Sequence, residues 1–485
     1  MRYEHHGRLT LADKARADYV YLPFEVPPGA EGISMSYSYS NPMPADESWG
    51  GNTIDVGLFS PGDLGFPCRN FRGWSGSFRQ EVHLGLGRAT PGYLPGPIEP
   101  GRWHVQLGLY KLAQAGCDYH VVVDVEVSPA EQKAVLEGQR RATFASSLSP
   151  AASRLHSPRW LRGDLHSHTH HSDGANSLKE LTDYAKARGL DFLAVTEHNT
   201  VSHLPGLHDY DSPGFLALPG EEVTTYYGHA NVWGIEEWVD FRCRQVGDVQ
   251  VAAARARAQG GLFSVNHPKD GGPPWCLGAD LDFDCVEVWQ GPWWLSNHQS
   301  LAWWDELLRQ GRRVVAVGGS DLHRVGTPDH PYSHELGNPT TWVYASELSV
   351  NAIVDALRKG HVFLSRDVDG PRLELQATAT GSSQRAMMGD SLTMGAGQGL
   401  LLEARVEGGE GCLVRLISSR GEERRDLVEH SSQRFEYVVA PRESTYYRIE
   451  LIEPPEADLN QEPAALMVQA MSNPIYVAWQ SECSL

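Results

Sequence analysis

Cysteine is scarce and unpatterned in this chain. The seven that occur (Cys68, Cys117, Cys243, Cys276, Cys285, Cys412 and Cys483) are scattered, odd in number and never spaced as Cys-x-x-Cys. This argues against a disulfide framework and against a zinc–thiolate site. Long apolar runs are also missing, which argues against a membrane-spanning helix. Positive charge is in short supply: 41 Lys and Arg face 61 Asp and Glu, a net charge of −20. Nucleic-acid polymers, which need clustered Lys and Arg, are therefore poor candidate partners. Residues 1–10 carry Arg2, Glu4, His5 and His6 and lack the apolar core of a signal peptide, so a cytoplasmic location is the expectation. There is no Gly-x-Ser-x-Gly elbow to supply a serine nucleophile, and no internal repeat.

What is present is ordinary globular material. Hydrophobic residues make up 41% and charged residues 21% of 485, enough for roughly two to four domains. Residues 1–127 read as an N-terminal β-sandwich. Short runs such as Tyr19–Phe24, Ile33–Tyr39, Ile54–Phe59, Trp103–Tyr110 and Tyr119–Val127 are rich in β-branched and aromatic residues, with Pro/Gly turns between them. Residues 128–159 read as a linker, a short helical stretch followed by a Ser/Ala/Pro-rich tract. Residues 160–370 alternate apolar strand-like runs with segments of helical spacing, as in Leu178, Leu181, Tyr184 and Ala185. That alternation predicts a parallel α/β barrel or a doubly wound sheet. Residues 371–485 return to strands alone and predict a C-terminal β-sandwich.

Chemistry concentrates in the middle third. Gly163-Asp164-Leu165-His166-Ser167-His168-Thr169-His170-His171-Ser172-Asp173-Gly174 places two histidines two residues apart. On an extended chain they share a face and can reach one metal ion. In a chain with 21 histidines such a cluster can arise by chance, so it needs company, and it has it. Phe192–Val195 runs into Thr196-Glu197-His198-Asn199, and Leu216–Leu218 into Pro219-Gly220-Glu221-Glu222. Gly228-His229 opens the next strand, Leu262–Val265 runs into Asn266-His267-Pro268, and Val314–Val317 into Gly318-Gly319-Ser320-Asp321-Leu322-His323. Strand ends of parallel α/β folds gather on one rim, and buried charges there are costly unless something neutralises them. Histidine and carboxylate without thiolate suit two or three divalent ions of Mn, Zn or Fe. Ions of this kind activate water for hydrolysis, with no need of a protein nucleophile.

This ordered set resembles the PHP (polymerase and histidinol phosphatase) family, and most of all its carbaryl-hydrolase-like branch, over about residues 160–366. The resemblance implies a distorted (β/α)7 barrel holding up to three metals. It implies His166, His168, Glu222 and Asp321 at one metal, and Glu222 bridging to a second held by His229 and His267. Asp173, His198 and His323 would hold a third. The family's Gly-x-Glu spacing selects Glu222 over Glu221. Asp321 and His323 are the expected catalytic residues.

Around this set, Arg324 and Lys269 each follow a candidate ligand segment and read either as substrate contacts or as solvated rim residues. His170, His171 and His203 divide the same way between proton donor and rim. Trp275, Trp293 and Trp294 could wall a pocket, whereas Trp303 and Trp304 read as core. The expectation is thus a metal-dependent hydrolase of a small ester, phosphoester first and carboxylic or carbamic ester second. A non-enzymatic metal-stabilised binding module is the alternative from another class. No membrane partner is expected, and the sequence leaves open whether the chain forms a homo-oligomer.

Overall fold

The structure, a computed structural model, describes residues 1–43, 50–127, 158–326, 334–454 and 466–480. The chain gathers into two compact units. The first comprises Met1–Ala151 with the segments His170–Asp173 and Glu197–Pro205; the second comprises Ala152–Thr169, Gly174–Thr196 and Gly206–Leu485.

The first unit is built on β1 (Arg2–Leu9), β2 (Tyr19–Val26), β3 (Ala30–Tyr39), β4 (Thr53–Phe59), β5 (Phe71–Gly76), β6 (Glu81–Gly85), β7 (Gly101–Lys111) and β8 (Cys117–Val127). They form two four-stranded sheets, ordered β1-β8-β3-β6 and β2-β7-β4-β5. Inward-facing Phe24, Ile33, Val56, Trp103, Leu107 and Val123 share one core. Each such side chain contributes about 1.5–3 kcal/mol by leaving water. The expected strands are all present. β1 is an addition: its polar sequence RYEHHGRL pairs along β8, with one side of the alternation only partly covered.

The second unit contains β9 (Arg159–Asp164), β10 (Phe192–Val195), β11 (Leu216–Thr225), β12 (Gly228–Trp233), β13 (Leu262–Val265), β14 (Cys285–Gln290), β15 (Val315–Gly319), β16 (Thr340–Ala345) and β17 (Val362–Ser365). Between them lie α1 (Leu178–Ala187), α2 (Val246–Ala258), α3 (Asn297–Arg309) and α4 (Val350–Lys359). Helix α1 starts where Ser177 and Glu180 form a capping box, and it buries Leu178, Leu181, Thr182 and Ala185, one face at helical spacing. The strands β10, β13 and β14 are buried at every position, as expected of strands covered on both faces.

A closed, purely parallel barrel is not what the hydrogen bonds draw. β9, β10 and β11 pair in parallel, as do β13, β14 and β15, but β11–β12, β12–β13, β9–β16 and β16–β17 are antiparallel. No sheet is closed. The second edge of β17 is taken by β26 (Val468–Ser472), so the ladder runs on into the C-terminal strands. Those strands are β18 (Arg372–Ala379), β19 (Arg385–Met387), β20 (Ser391–Met394), β21 (Leu400–Glu407), β22 (Leu413–Ser418), β23 (Gly421–Leu427), β24 (Ser432–Val439), β25 (Thr445–Ile452) and β27 (Ile475–Trp479). A separate sheet, β19-β18-β21-β24, packs its Leu373, Leu375, Leu402 and Ala404 against Leu416 and Ile449 of the long ladder. Trp342 and Phe363 of β16 and β17 join that same core. The expected linker falls, up to residue 157, outside the described residues.

Candidate metal centre

Two buried groups of donors meet at one carboxylate. Glu222 lies in the middle of β11, where the strand changes partner: Leu216–Pro219 pair in parallel with β10, and Gly220–Thr225 pair antiparallel with β12. Neighbouring strand residues face opposite ways. Glu221 therefore turns from the donors, accepts the Val239 N–H at 2.9 Å, and is pushed well above its ordinary pKa by burial. Glu222 turns toward them.

Its Oε2 lies 3.4 Å from His166 Nε2 and 3.5 Å from His168 Nε2. Its Oε1 lies 3.1 Å from His229 Nδ1 and 3.6 Å from His267 Nε2. Asp321 Oδ1 completes the first side, 3.3 Å from His166 Nε2 and 3.0 Å from His168 Nε2. The groups His166/His168/Glu222 and Glu222/His229/His267 each bring their donor atoms within 4.8 Å of one another, close enough to share an ion.

Whether such a group wants a cation can be read from His166. Its Nδ1 is 2.8 Å from the Glu287 carboxylate, which can only accept, so Nδ1 carries the proton. Its Nε2 is buried and makes no hydrogen bond. A lone pair aimed at two carboxylate oxygens is repulsive unless a proton or a metal ion sits there. Burial disfavours charge on His166, but Asp321, Glu287 and Glu222 outweigh it and raise its pKa well above the usual histidine value. Asp321 shows the same pull from the other side. Burial would raise its carboxyl, yet His166, His168 and His323 hold it well below the ordinary range. The donor set fits a divalent cation.

Several residues that the sequence reading passed over hold this arrangement. Glu287, in the wholly buried strand β14, accepts from His166 Nδ1 with one oxygen and from the His267 N–H, at 3.1 Å, with the other. Asp164 accepts from the backbone N–H groups of His166, Ser320 and Gly337 at 3.1, 2.9 and 2.9 Å, stapling the two ligand-bearing segments together. Gln290 donates to Asp321 Oδ2 at 3.0 Å, and Asn266 donates to Glu222 Oε1 at 2.9 Å. Gly319 must be glycine, because a Cβ there would stand 2.4 Å from the His166 Cβ. His267 and Asp321 have positive φ, +29° and +54°. Such backbone is sparsely populated by residues other than glycine, and it persists where surrounding contacts impose it.

The remaining expected site residues are distributed as follows. His323 shares the second unit; its ring stacks on His168 at 4.3 Å, and its Nδ1 donates to the Asp321 carbonyl at 2.9 Å. Asp173 and His198 lie on the two segments that belong to the first unit, where His198 Nε2 is 3.5 Å from Asp173 Oδ1. Arg324 is exposed. Lys269 is buried and donates to Gln290 O at 3.1 Å and to Asn297 Oδ1 at 2.8 Å. Burial also lowers its pKa to about 8, against Glu287 and Asp321, and its two bonds tie its loop to the end of β14 and the start of α3. Trp275 is half-buried, bonds Gly278 O at 2.7 Å, and lies against Gly228, next to His229. Trp293 is buried against Trp289 and bonds Leu466 O, whereas Trp294 is exposed. Trp304 is core, as expected. His171 is held down to about pKa 4 by burial, His170 and Arg79, so near neutral pH it has no imidazolium proton to donate.

Residues 164–240 match the PHP domain. No curated protein matches the chain. Among solved structures, the chain is similar to a two-domain protein from Bacteroides vulgatus ATCC 8482 described as containing a predicted PHP-like metal-dependent phosphoesterase. That likeness has 18% identity and a TM-score of 0.34, and covers 64% of this chain and 95% of that one. An amidohydrolase from Chromobacterium violaceum, with bound sulfate and no metal, is similar at 15% identity and a TM-score of 0.25, covering 35% of this chain and 93% of that one.

Proposed function

We propose that the protein is a metal-dependent hydrolase of small phosphoesters, built around two ions that share Glu222. The observation that carries this reading is the Glu222 carboxylate standing between two pairs of histidines, His166 with His168 and His229 with His267. His166, His168 and Asp321 would hold one ion, and His229 and His267 the other. Asp173, His198 and His323 are the residues that the family resemblance reserves for a further ion. Manganese, zinc or iron(II) suits imidazole and carboxylate donors. When bound, such ions lower the pKa of water and neutralise charge that develops on the ester oxygens.

The chain's own groups do the rest. Glu287 fixes the tautomer and the aim of His166, an arrangement that raises ligand basicity. Arg324, exposed directly after His323, offers a fork of donors to a phosphoryl group. A second reading, a carboxylic- or carbamic-ester hydrolase, is favoured by Trp275, whose half-covered ring against Gly228, the residue before His229, suits an apolar or aromatic group. A purely structural metal site is disfavoured: such sites are closed and commonly carry thiolates, and neither donor group contains a cysteine. Among the described residues no helix is long and apolar enough to cross a membrane; we take the cytoplasm as the place of action.

The test is a metal-reconstituted assay of the full chain on p-nitrophenyl phosphate, bis-p-nitrophenyl phosphate, p-nitrophenyl acetate and an aryl carbamate. Metal-dependent turnover favouring a phosphoester supports the reading. A preference for the neutral substrates transfers the assignment to the second reading, and no metal-dependent turnover of any of them rejects both.

A further inference from the structure

The first unit binds its two short segments with polar contacts supplied by the connections between its strands. Arg79, on the turn between β5 and β6, donates from Nη1 to Ser172 O at 3.0 Å and from Nη2 to His170 O. Its guanidinium also lies 5.2 Å from the centre of the Phe78 ring. The Ser172 hydroxyl donates to Glu197 Oε2, joining the segment His170–Asp173 to the segment Glu197–Pro205. Gly92 makes a second junction: its N–H donates to Ser202 Oγ at 2.9 Å, and its carbonyl accepts from Thr200 Oγ1 at 2.8 Å. Gly92 has φ +97°, and a Cβ there would stand 2.6 Å from Trp74 O and 3.0 Å from His171 O, so the approach requires glycine.

We propose that Arg79 is a positioning residue for the candidate ligand pair Asp173 and His198, gripping the carbonyls on both sides of His171 and so fixing the loop that presents Asp173 to His198. The inference rests on the reading of Asp173 and His198 as ligands. Two carbonyls two residues apart suit the planar fork of an arginine, which a lysine's single ammonium cannot reproduce. The positive charge has a second use. Burial strips water from the guanidinium, and Tyr93, Glu197 and Asp173 are the groups that favour its charged form. Glu197 is itself fully buried, and Arg79 is near enough to offset its charge.

The experiment titrates chelated full-length protein with Mn(II), by calorimetry and by the Mn(II) paramagnetic resonance signal. The variants are wild type, Arg79→Ala, Asp173→Asn and, as a control on an exposed ion pair with Asp124, Arg2→Ala. Arg79→Ala should weaken about ten-fold or more the class of sites that Asp173→Asn removes, in keeping with the usual effect of groups that orient ligands. The sites shared at Glu222 should keep their affinity, and Arg2→Ala should match wild type. A residue that only stabilised the fold would lower the unfolding temperature and leave the isotherm unchanged well below it. That result for Arg79→Ala would overturn the proposal. Should Arg79→Ala not fold, Arg79→Gln, similar in length and uncharged, is judged by the same criterion. Wild type that binds no Mn(II) overturns the proposed function and this inference together; wild type that binds while Arg79→Ala binds identically overturns this inference alone.

Discussion

The two sides of the Glu222 carboxylate are built to different standards. On the Oε2 side, His166 and His168 are fully buried, and Asp321 adds a second negative charge. Glu287, Asp164 and Gln290 brace that side from behind. On the Oε1 side, His229 and His267 are the more open pair, at 9% and 7% exposure, and among the described residues no second donor carboxylate stands with Glu222. The Oε2 side has the second negative charge and the two fully buried imidazoles. It should therefore bind its ion more tightly and keep it, while the Oε1 side should exchange its ion more readily with the medium.

The largest way to break this asymmetry is to remove what both sides share. Glu222→Ala should abolish tight binding at both and reduce hydrolysis by several orders of magnitude, checked by elemental analysis of the reconstituted protein beside the assay. Next in size, His168→Ala or Asp321→Ala should cost about 10³-fold or more in turnover, since each strips a donor from the better-built side. His229→Ala should instead lower occupancy in a way that excess metal partly restores, whereas His430→Ala, on the exposed surface, should leave both quantities unchanged. Equal responses at His168 and His229 would erase the distinction between the sides.

Smaller, and sharper, is Glu287→Gln. It removes the charge that orients His166 but keeps the shape, and should weaken metal affinity about 10–100-fold. The same interaction has a proton signature. Metal-free His166 has a raised pKa, so metal uptake near neutral pH must displace a proton from it. Calorimetry in buffers of different ionisation enthalpy should show that release in wild type and less of it in Glu287→Gln, where His166 is less basic. Smallest is Arg324→Ala, which should lower kcat/KM for a phosphoester more than for any neutral ester also accepted. Equal losses would make it a structural residue.

Much of this centre is legible in the sequence, because metal donors are chemically narrow. Histidine and carboxylate at the ends of apolar runs, as at Asn266-His267 and Ser320-Asp321, stand out against buried strand. Glu287 did not stand out, because it sits inside the run from Cys285 to Val288 that reads as plain core. The only trace of it is a carboxylate in a strand with no polar face, which has to be compensated by something. The sheet's mixed directions were missed for a related reason: apolar runs fix where strands are, not which way they point. One clue existed. Only Tyr226 and Tyr227 separate β11 from β12, and so short a link joins antiparallel strands, never parallel ones. The continuation of the ladder from β17 into β26 spans a long stretch of sequence, and no local pattern announces such a pairing. Arg79 belongs to that class too, a side chain whose partners lie about ninety residues away.

The central claim is that one carboxylate, Glu222, organises two metal ions, and the measurement that tests it most directly is metal stoichiometry. Full-length wild type and Glu222→Ala, both confirmed folded, would be reconstituted with Mn(II), passed through a desalting column and measured by elemental analysis. The account predicts at least two equivalents on wild type and fewer than one on Glu222→Ala. Wild type carrying none, or Glu222→Ala retaining as much metal as wild type, would contradict it.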